Sequence, residues 1–208
     1  AATGVLPSPV GAAVSVLDGQ TLDALGKVDL VDALRLVPGS SLVQTGGRGG
    51  TTADFIRGGN SNFNRVLVDG VPVNDIGGGV DLAQFALVGI DQVEVLRQAT
   101  SAIAGPDALA GVIAATTKRG TTRQPEATVG LNGGTLGTHQ ETVGIGGLVG
   151  RVDYFSEFAR FETDNDQPNN AYRIKTYARH FRRHPRIKSP PLRLALEKTI
   201  AAAEAGLD

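Results

Sequence analysis

The residues able to do chemistry in this 208-residue chain are few and scattered. It contains no cysteine, which removes thiol nucleophiles, disulfides, zinc ribbons and iron–sulfur clusters together. Among its histidines, His139 stands alone, while His180 and His184 share a helical i, i+4 spacing but have no carboxylate to complete a metal set. Asp164-Asn-Asp-Gln-Pro-Asn-Asn170 offers oxygen ligands suited to calcium, yet it lacks the spacing and closing glutamate of a calcium loop and reads as a solvated turn. Gly46-Gly-Arg-Gly-Gly50 lacks the Lys followed by Ser or Thr that makes a glycine loop a phosphate cradle. No Ser/His/Asp order and no carboxylate pair stands out. The chain is therefore read as a non-enzyme, with no metal and no cofactor.

The elements that would position any binding residues come from the apolar periodicity. Residues 13–17 alternate and end at Asp18-Gly19, a strand followed by a turn. Leu30, Leu34 and Val37 fall on one helical face behind Asp29 as N-cap, and Pro38-Gly39 stops that helix. Short strands follow at 54–57 and 65–68. Asp69-Gly70 then signals a two-residue hairpin whose return arm, 71–73, belongs at a sheet edge because Pro72 has no N–H to donate. Strands at 91–96 and 111–117 flank one or two short helical turns over 101–109. Helices and short strands interspersed in this way give a compact α+β unit over 13–119.

Beyond Gly120 the pattern changes to strict alternation. Ala127, Val129 and Leu131 share one face, with Glu126, Thr128 and Asn132 on the other, and Val143 and Ile145 repeat the pattern within 140–146. In 151–158, Val152, Tyr154 and Phe158 oppose Arg151, Asp153 and Glu157, and Phe155 breaks the rule. Such strands suit the wall of a transmembrane β-barrel or, equally, a soluble antiparallel meander with one wet face. No apolar run approaches the ~18 residues of a spanning helix.

Charge divides the chain. Residues 1–172 hold 11 basic and 18 acidic residues and 27 of the 28 glycines, whereas 173–208 hold 9 basic, 3 acidic and one glycine. A net charge of −1 gives no general reason to expect nucleic acid as a partner. Arg179-His-Phe-Arg-Arg-His-Pro-Arg186 has the composition of a nucleic-acid patch, but 178–208 is read first as out-of-frame or fusion sequence and second as a genuine basic appendage.

Five segments in order carry a likeness: Asp32-Ala-Leu-Arg-Leu-Val-Pro-Gly39, Phe55-Ile-Arg-Gly58, Val66-Leu-Val-Asp-Gly-Val71, Val93-Glu-Val-Leu-Arg97 and Ser101-Ala-Ile-Ala-Gly-Pro-Asp-Ala-Leu-Ala-Gly-Val-Ile113. Together they resemble the plug domain of TonB-dependent outer-membrane receptors. Val73-Asn-Asp-Ile-Gly-Gly-Gly-Val-Asp-Leu-Ala-Gln-Phe85 resembles the branch of that family that takes up cobalamin. The chain departs from the family's usual residues at Gln98, Ala99, Ala104, Pro106, Ala110 and Ala114, which cluster in one segment.

The resemblance implies a division into an extended segment over 1–12, a plug over 13–120, the first strands of an incomplete barrel over 121–177, and the tail 178–208. The fold class is α+β, a small mixed sheet with short helices followed by a few antiparallel strands. It implies an outer-membrane location in a Gram-negative cell after export through the periplasm, a small-molecule ligand (cobalamin or a ferric siderophore), and TonB as energy-coupling partner in the full receptor. Only residues 5–10 are a candidate for the TonB-binding box. Ligand would meet loops 45–51, 59–64 and 74–80, through Arg48, Asn60, Asn62, Asn64, Asn74, Asp75 and Asp81, although Asn, Asp and Gly also serve simply as turn formers. Arg57, Glu94 and Arg97 would face the barrel wall, with ordinary surface ion pairs as the alternative. The chain alone is not expected to transport. A soluble α+β binding module with an accessory meander is the alternative reading.

Overall fold

The computed structural model describes residues 5–7, 13–98 and 108–183. In chain order the elements are β1 (Val5–Pro7), β2 (Val14–Asp18), α1 (Gly19–Ala24), α2 (Leu30–Leu34), β3 (Ser40–Gln44), β4 (Thr52–Ile56), β5 (Asn64–Val68), β6 (Val71–Pro72), β7 (Ile90–Leu96), β8 (Gly111–Thr117), β9 (Glu126–Gly133), β10 (His139–Val149), β11 (Val152–Thr163) and β12 (Tyr172–Arg183). Strands β1 to β8 and the two helices form the α+β unit. Its main sheet runs β1-β2-β7-β8-β5-β6, mixed because β5 and β8 pair in parallel, and β3 and β4 make a separate antiparallel pair. The fold class expected from the sequence is the one observed.

Local chemistry accounts for most of the elements. The Asp29 carboxylate accepts the Asp32 N–H at 2.8 Å and caps α2, whose face buries Leu30 and Leu34. Asp69 and Gly70 both take positive φ, 48° and 80°, the conformation of a two-residue hairpin, and β6 lies at the sheet edge where Pro72 loses no ladder bond. Two elements differ from the sequence reading. Asp18-Gly19 does not form a turn: Asp18 accepts the Thr21 N–H at 2.9 Å and starts α1, which buries Leu22 in the core. Strand β3, too polar to show a pattern, exists because β4 pairs with it. Leu17, Leu34, Ile56, Val66, Val93 and Ile113 anchor one core between the main sheet and α2. Of the helical turns expected over 101–109, residues 101–107 lie outside the described residues.

Strands β9 to β12 form a separate antiparallel meander, with β9 and β12 at its edges among the described residues. Registers are unbroken, for example Val129↔Val143↔Phe158↔Tyr177 across all four strands. One face points at the α+β unit and buries Asp153, Glu157, Ala159 and Phe161. The opposite face carries an exposed apolar band, with Val129 and Leu131 72% and 78% exposed and Phe158, Tyr177 and Phe181 exposed beside them, but β12 interrupts it with Arg173, Lys175, Arg179 and Arg183 on the same face. An outward apolar band over β9 to β11 is the pattern of a lipid-facing wall, and the basic residues of β12 depart from it. Phe155, which broke the alternation, faces inward and packs beside Gly89. β12 also continues in register through Arg183, so residues 178–183 are part of the sheet and not of the tail that the sequence reading began at 178.

Candidate functional site

Loop 45–51 closes on itself through Thr45 N–H to Thr51 O at 3.0 Å and Gly50 N–H to Gly47 O at 3.0 Å. Its Arg48 does not point to solvent. The guanidinium bridges Asp29 and Asp32, the latter at 2.8 Å, and lies 5.3 Å from the Phe161 ring centroid. Burial raises the Asp29 carboxyl above its ordinary value, Asp32 adds to this, and Arg48 opposes it. Burial works against the charge of Arg48, and Asp29 and Asp32 more than offset it. The Arg48 N–H donates to Asn165 Oδ1 at 3.1 Å and its carbonyl accepts from Asn165 Nδ2 at 3.2 Å, so the loop is tied to the β11–β12 turn. A β-carbon on Gly49 would lie 2.2 Å from the Tyr172 ring, a fit that only glycine allows.

The other two loops touch each other. Gly78 comes so near the Asn62 carbonyl that a β-carbon would sit 2.4 Å from its oxygen. Asn64 is buried and donates to the Asp54 carbonyl at 2.6 Å. Asn74 accepts the Val66 N–H at 2.8 Å and donates to the carbonyls of Asn64 and Gly78 at 2.9 and 2.8 Å. Asp81 accepts from the Thr52 and Ala83 N–H groups at 2.9 and 3.1 Å. These three side chains hold the loops in shape and have their polar atoms turned inward. Asn60 caps the turn at 61–63 through Asn62 N–H at 3.2 Å and stays exposed, as do Asn62 and Asp75. Of the seven predicted ligand residues, the structure therefore leaves Asn60, Asn62 and Asp75 presented to solvent, flanked by the exposed Phe63 and Ile76.

The charges predicted to face the wall keep their polar contacts within the α+β unit. Arg57, at φ 51°, donates its N–H to Gly39 O at 2.9 Å with the side chain exposed; Glu94 accepts from Gln92; Arg97 donates to the carbonyls of Ala13 and Pro38. Other residues make the seam with the sheet. Glu157 accepts the Gly89 N–H at 3.0 Å and lies 3.4 Å from Lys118 Nζ, which is also 3.4 Å from Asp23. Thr117 donates its N–H and hydroxyl to Asp69 at 3.0 and 2.6 Å, and its hydroxyl lies 3.4 Å from His180 Nδ1; His180 Nε2 is 3.1 Å from Asp153. Partial burial works upward on the Asp69 carboxyl, but the two Thr117 bonds, with His180 and Arg119, hold it below its ordinary value. The sequence reading missed Lys118, Glu157, Asn165 and Gly89. Their one local signal was Glu157, a charge within an alternating strand.

These contacts brace loop against loop and the α+β unit against the sheet. No cluster of three metal-ligating side chains occurs among the described residues, and no described helix is long and apolar enough to cross a membrane. Residues 8–112 match the family described as the TonB-dependent receptor plug domain. The chain is 40% identical over 102 residues to the vitamin B12 transporter BtuB of Vibrio vulnificus, an overlap of 49% of this chain and 17% of that protein. The fold is similar to the pyoverdine outer-membrane receptor FpvA of Pseudomonas aeruginosa (TM-score 0.73, 19% identity, 84% of this chain and 26% of that one). It is also similar to the siderophore receptor PiuA of Acinetobacter baumannii (TM-score 0.67, 23% identity, 82% and 24%). The chain thus spans well under half the length of each of these relatives.

Proposed function

The chain belongs to the family of TonB-dependent receptor plug domains, and from that premise we propose that it is the plug and opening wall strands of an outer-membrane receptor of a Gram-negative cell. In this reading the apical loops receive a scarce nutrient, cobalamin or a ferric siderophore, and the plug gates its TonB-driven uptake. The observation that carries the proposal is the 40% identity to a vitamin B12 transporter, which puts cobalamin first. Asn60, Asn62 and Asp75 are the ligand contacts, because their side chains are exposed on loops whose shape Asn64, Asn74 and Asp81 set. Arg48 pins the third loop. Arg57, Glu94 and Arg97 are assigned to stretches of wall beyond β12. A plugged lumen needs a wall of ~22 strands, of which the described residues supply β9 to β12, so transport is assigned to the closed barrel.

The test is a chimera in which residues 13–183 replace the corresponding segment of a vitamin B12 transporter, in cells lacking their own. Cobalamin uptake should persist, and alanine at Asn60, Asn62 and Asp75 together should reduce it at unchanged surface display. Uptake indifferent to those three substitutions would refute the assignment of the loops.

A further inference from the structure

The end of the plug–wall seam remote from Asn165 centres on one histidine. His180 occupies an inward position of β12, two residues beyond Ala178, against which Gly89 packs. Its ring stands between two carboxylates that belong to different sheets. On the wall side, Nε2 is 3.1 Å from Asp153 Oδ1, and Asp153 is buried. On the plug side, Nδ1 is 3.4 Å from the Thr117 hydroxyl, which is in turn 2.6 Å from Asp69 Oδ2.

Each ring nitrogen therefore faces an oxygen that can only accept. The Thr117 hydroxyl has a single proton and donates it to Asp69, so toward Nδ1 its oxygen is an acceptor. A carboxylate such as Asp153 has no proton to give. The Nε2–Asp153 approach also lies off the line of a hydrogen bond, so it attracts through charge and not through a shared proton. A neutral imidazole has one N–H and one lone pair. Whichever nitrogen lacks the proton turns that lone pair on an oxygen. Only the doubly protonated ring suits both neighbours.

Other charges stand on the elements around the ring. Lys118 and Arg119 follow Thr117, and Lys118 is engaged by Asp23 and Glu157. Arg182 lies opposite Asp153 in the register, and Arg151 precedes β11. Partial burial pushes the Asp69 carboxyl upward, but the Thr117 bonds and then the charges of His180 and Arg119 hold it below its ordinary value. Among these residue types, histidine is the one whose charge ordinarily changes between pH 5 and 8. We propose that His180 is a proton-operated latch: with two ring protons it joins Thr117 and Asp69 of the plug to Asp153 of the wall, and on losing one it lets this end of the seam loosen. The docked contacts favour the doubly protonated ring, so the latch holds in acid and is lost as pH rises through the histidine range, ordinarily ~6.5. In a receptor this fastens the plug more firmly in acid surroundings, but the latch rests on the docked sheets and not on transport.

The reporter is the Gly89 amide, which donates across the seam to Glu157, the register partner of Ala178. In the full chain in non-denaturing detergent, its exchange protection, corrected for the intrinsic pH dependence of exchange, should fall at least about fivefold from pH 5.5 to pH 8. His180→Gln should abolish that fall. The double variant His139→Gln with His184→Gln, which leaves His180 as the sole histidine, should keep it. A fall that persists in His180→Gln, or is absent from the double variant, overturns the latch. The double variant also reads the ring directly: its nitrogen-15 resonances should show both nitrogens protonated at pH 5.5 and one at pH 8. A ring that is neutral at pH 5.5 overturns the proposal even where His180→Gln does not fold. None of these readouts involves uptake, so the chimera can fail while the latch stands, and the reverse.

Discussion

Substituting alanine for Gly89 tests the seam most directly. Gly89 has φ +72°, so alanine there carries the left-handed backbone cost of ~1–2 kcal/mol. Its new methyl would also lie 2.3 Å from Ala178, where carbon–carbon contact is best near ~3.5–4.0 Å. The sheet must retreat by more than ~1 Å, which stretches the 3.0 Å bond between the Gly89 amide and Glu157 out of range. A lost bond to a charged group costs a further ~1.5–3 kcal/mol. The control is Gly58→Ala, at φ +74° with no atom within 4 Å of the added carbon, which carries the backbone cost alone. All three tyrosines, Tyr154, Tyr172 and Tyr177, lie on β11 and β12, so tyrosine emission during urea unfolding follows the docked sheet. The expected result is that Gly89→Ala costs about 2–3 kcal/mol more than Gly58→Ala. Equal losses would refute the claim that close packing at Gly89 holds plug to wall.

Asp54 is 2% exposed; burial raises its carboxyl pKa above the ordinary value against the lowering effect of its bond from Ser40. Because the folded value is the higher one, its contribution to stability is full below pH 3.8 and is lost as pH rises through the raised value. Asp54→Asn should therefore stabilise by about 1 kcal/mol at pH 7 and lose that advantage in acid, read from thermal unfolding at both pH values. Asn74→Ala leaves the Val66 N–H and two carbonyls without their side-chain partner and should cost about 2–4 kcal/mol, seen as faster amide exchange through loop 74–80. Arg48→Met strands Asp29 and Asp32 and should cost about 3 kcal/mol at pH 7, with the loss shrinking in acid as Asp29, whose carboxyl burial already raises above its ordinary value, takes up its proton; a pH-independent loss would argue for packing on Phe161 instead.

Much of the architecture was legible because it is encoded locally. Alternation in β9 to β11 reads directly as two faces, the Asp69-Gly70 hairpin follows from backbone preference, and Asp29 announces a helix start within three residues of the amide that it caps. Where a local rule allowed two outcomes, packing chose. Asp18-Gly19 became a helix start because Leu22 could then enter the core, whereas Phe155 faces inward because the unbroken register of β11 puts it on the face of Asp153 and Glu157.

Side-chain type and spacing determined the family likeness and the α+β class. They could not determine which of the loop asparagines and aspartates are exposed. Asn64, Asn74 and Asp81 have the same composition signal as Asn60, Asn62 and Asp75, and only the approach of β4, β5 and loop 74–80 gives the first three internal partners. Arg48 meets Asp29 across 19 residues and Asn165 across 117, and Lys118 meets Glu157 across 39. Partners so distant in sequence leave no periodic trace along the chain. Their pairing is set by how two separately patterned sheets dock, and that the tertiary structure alone decided.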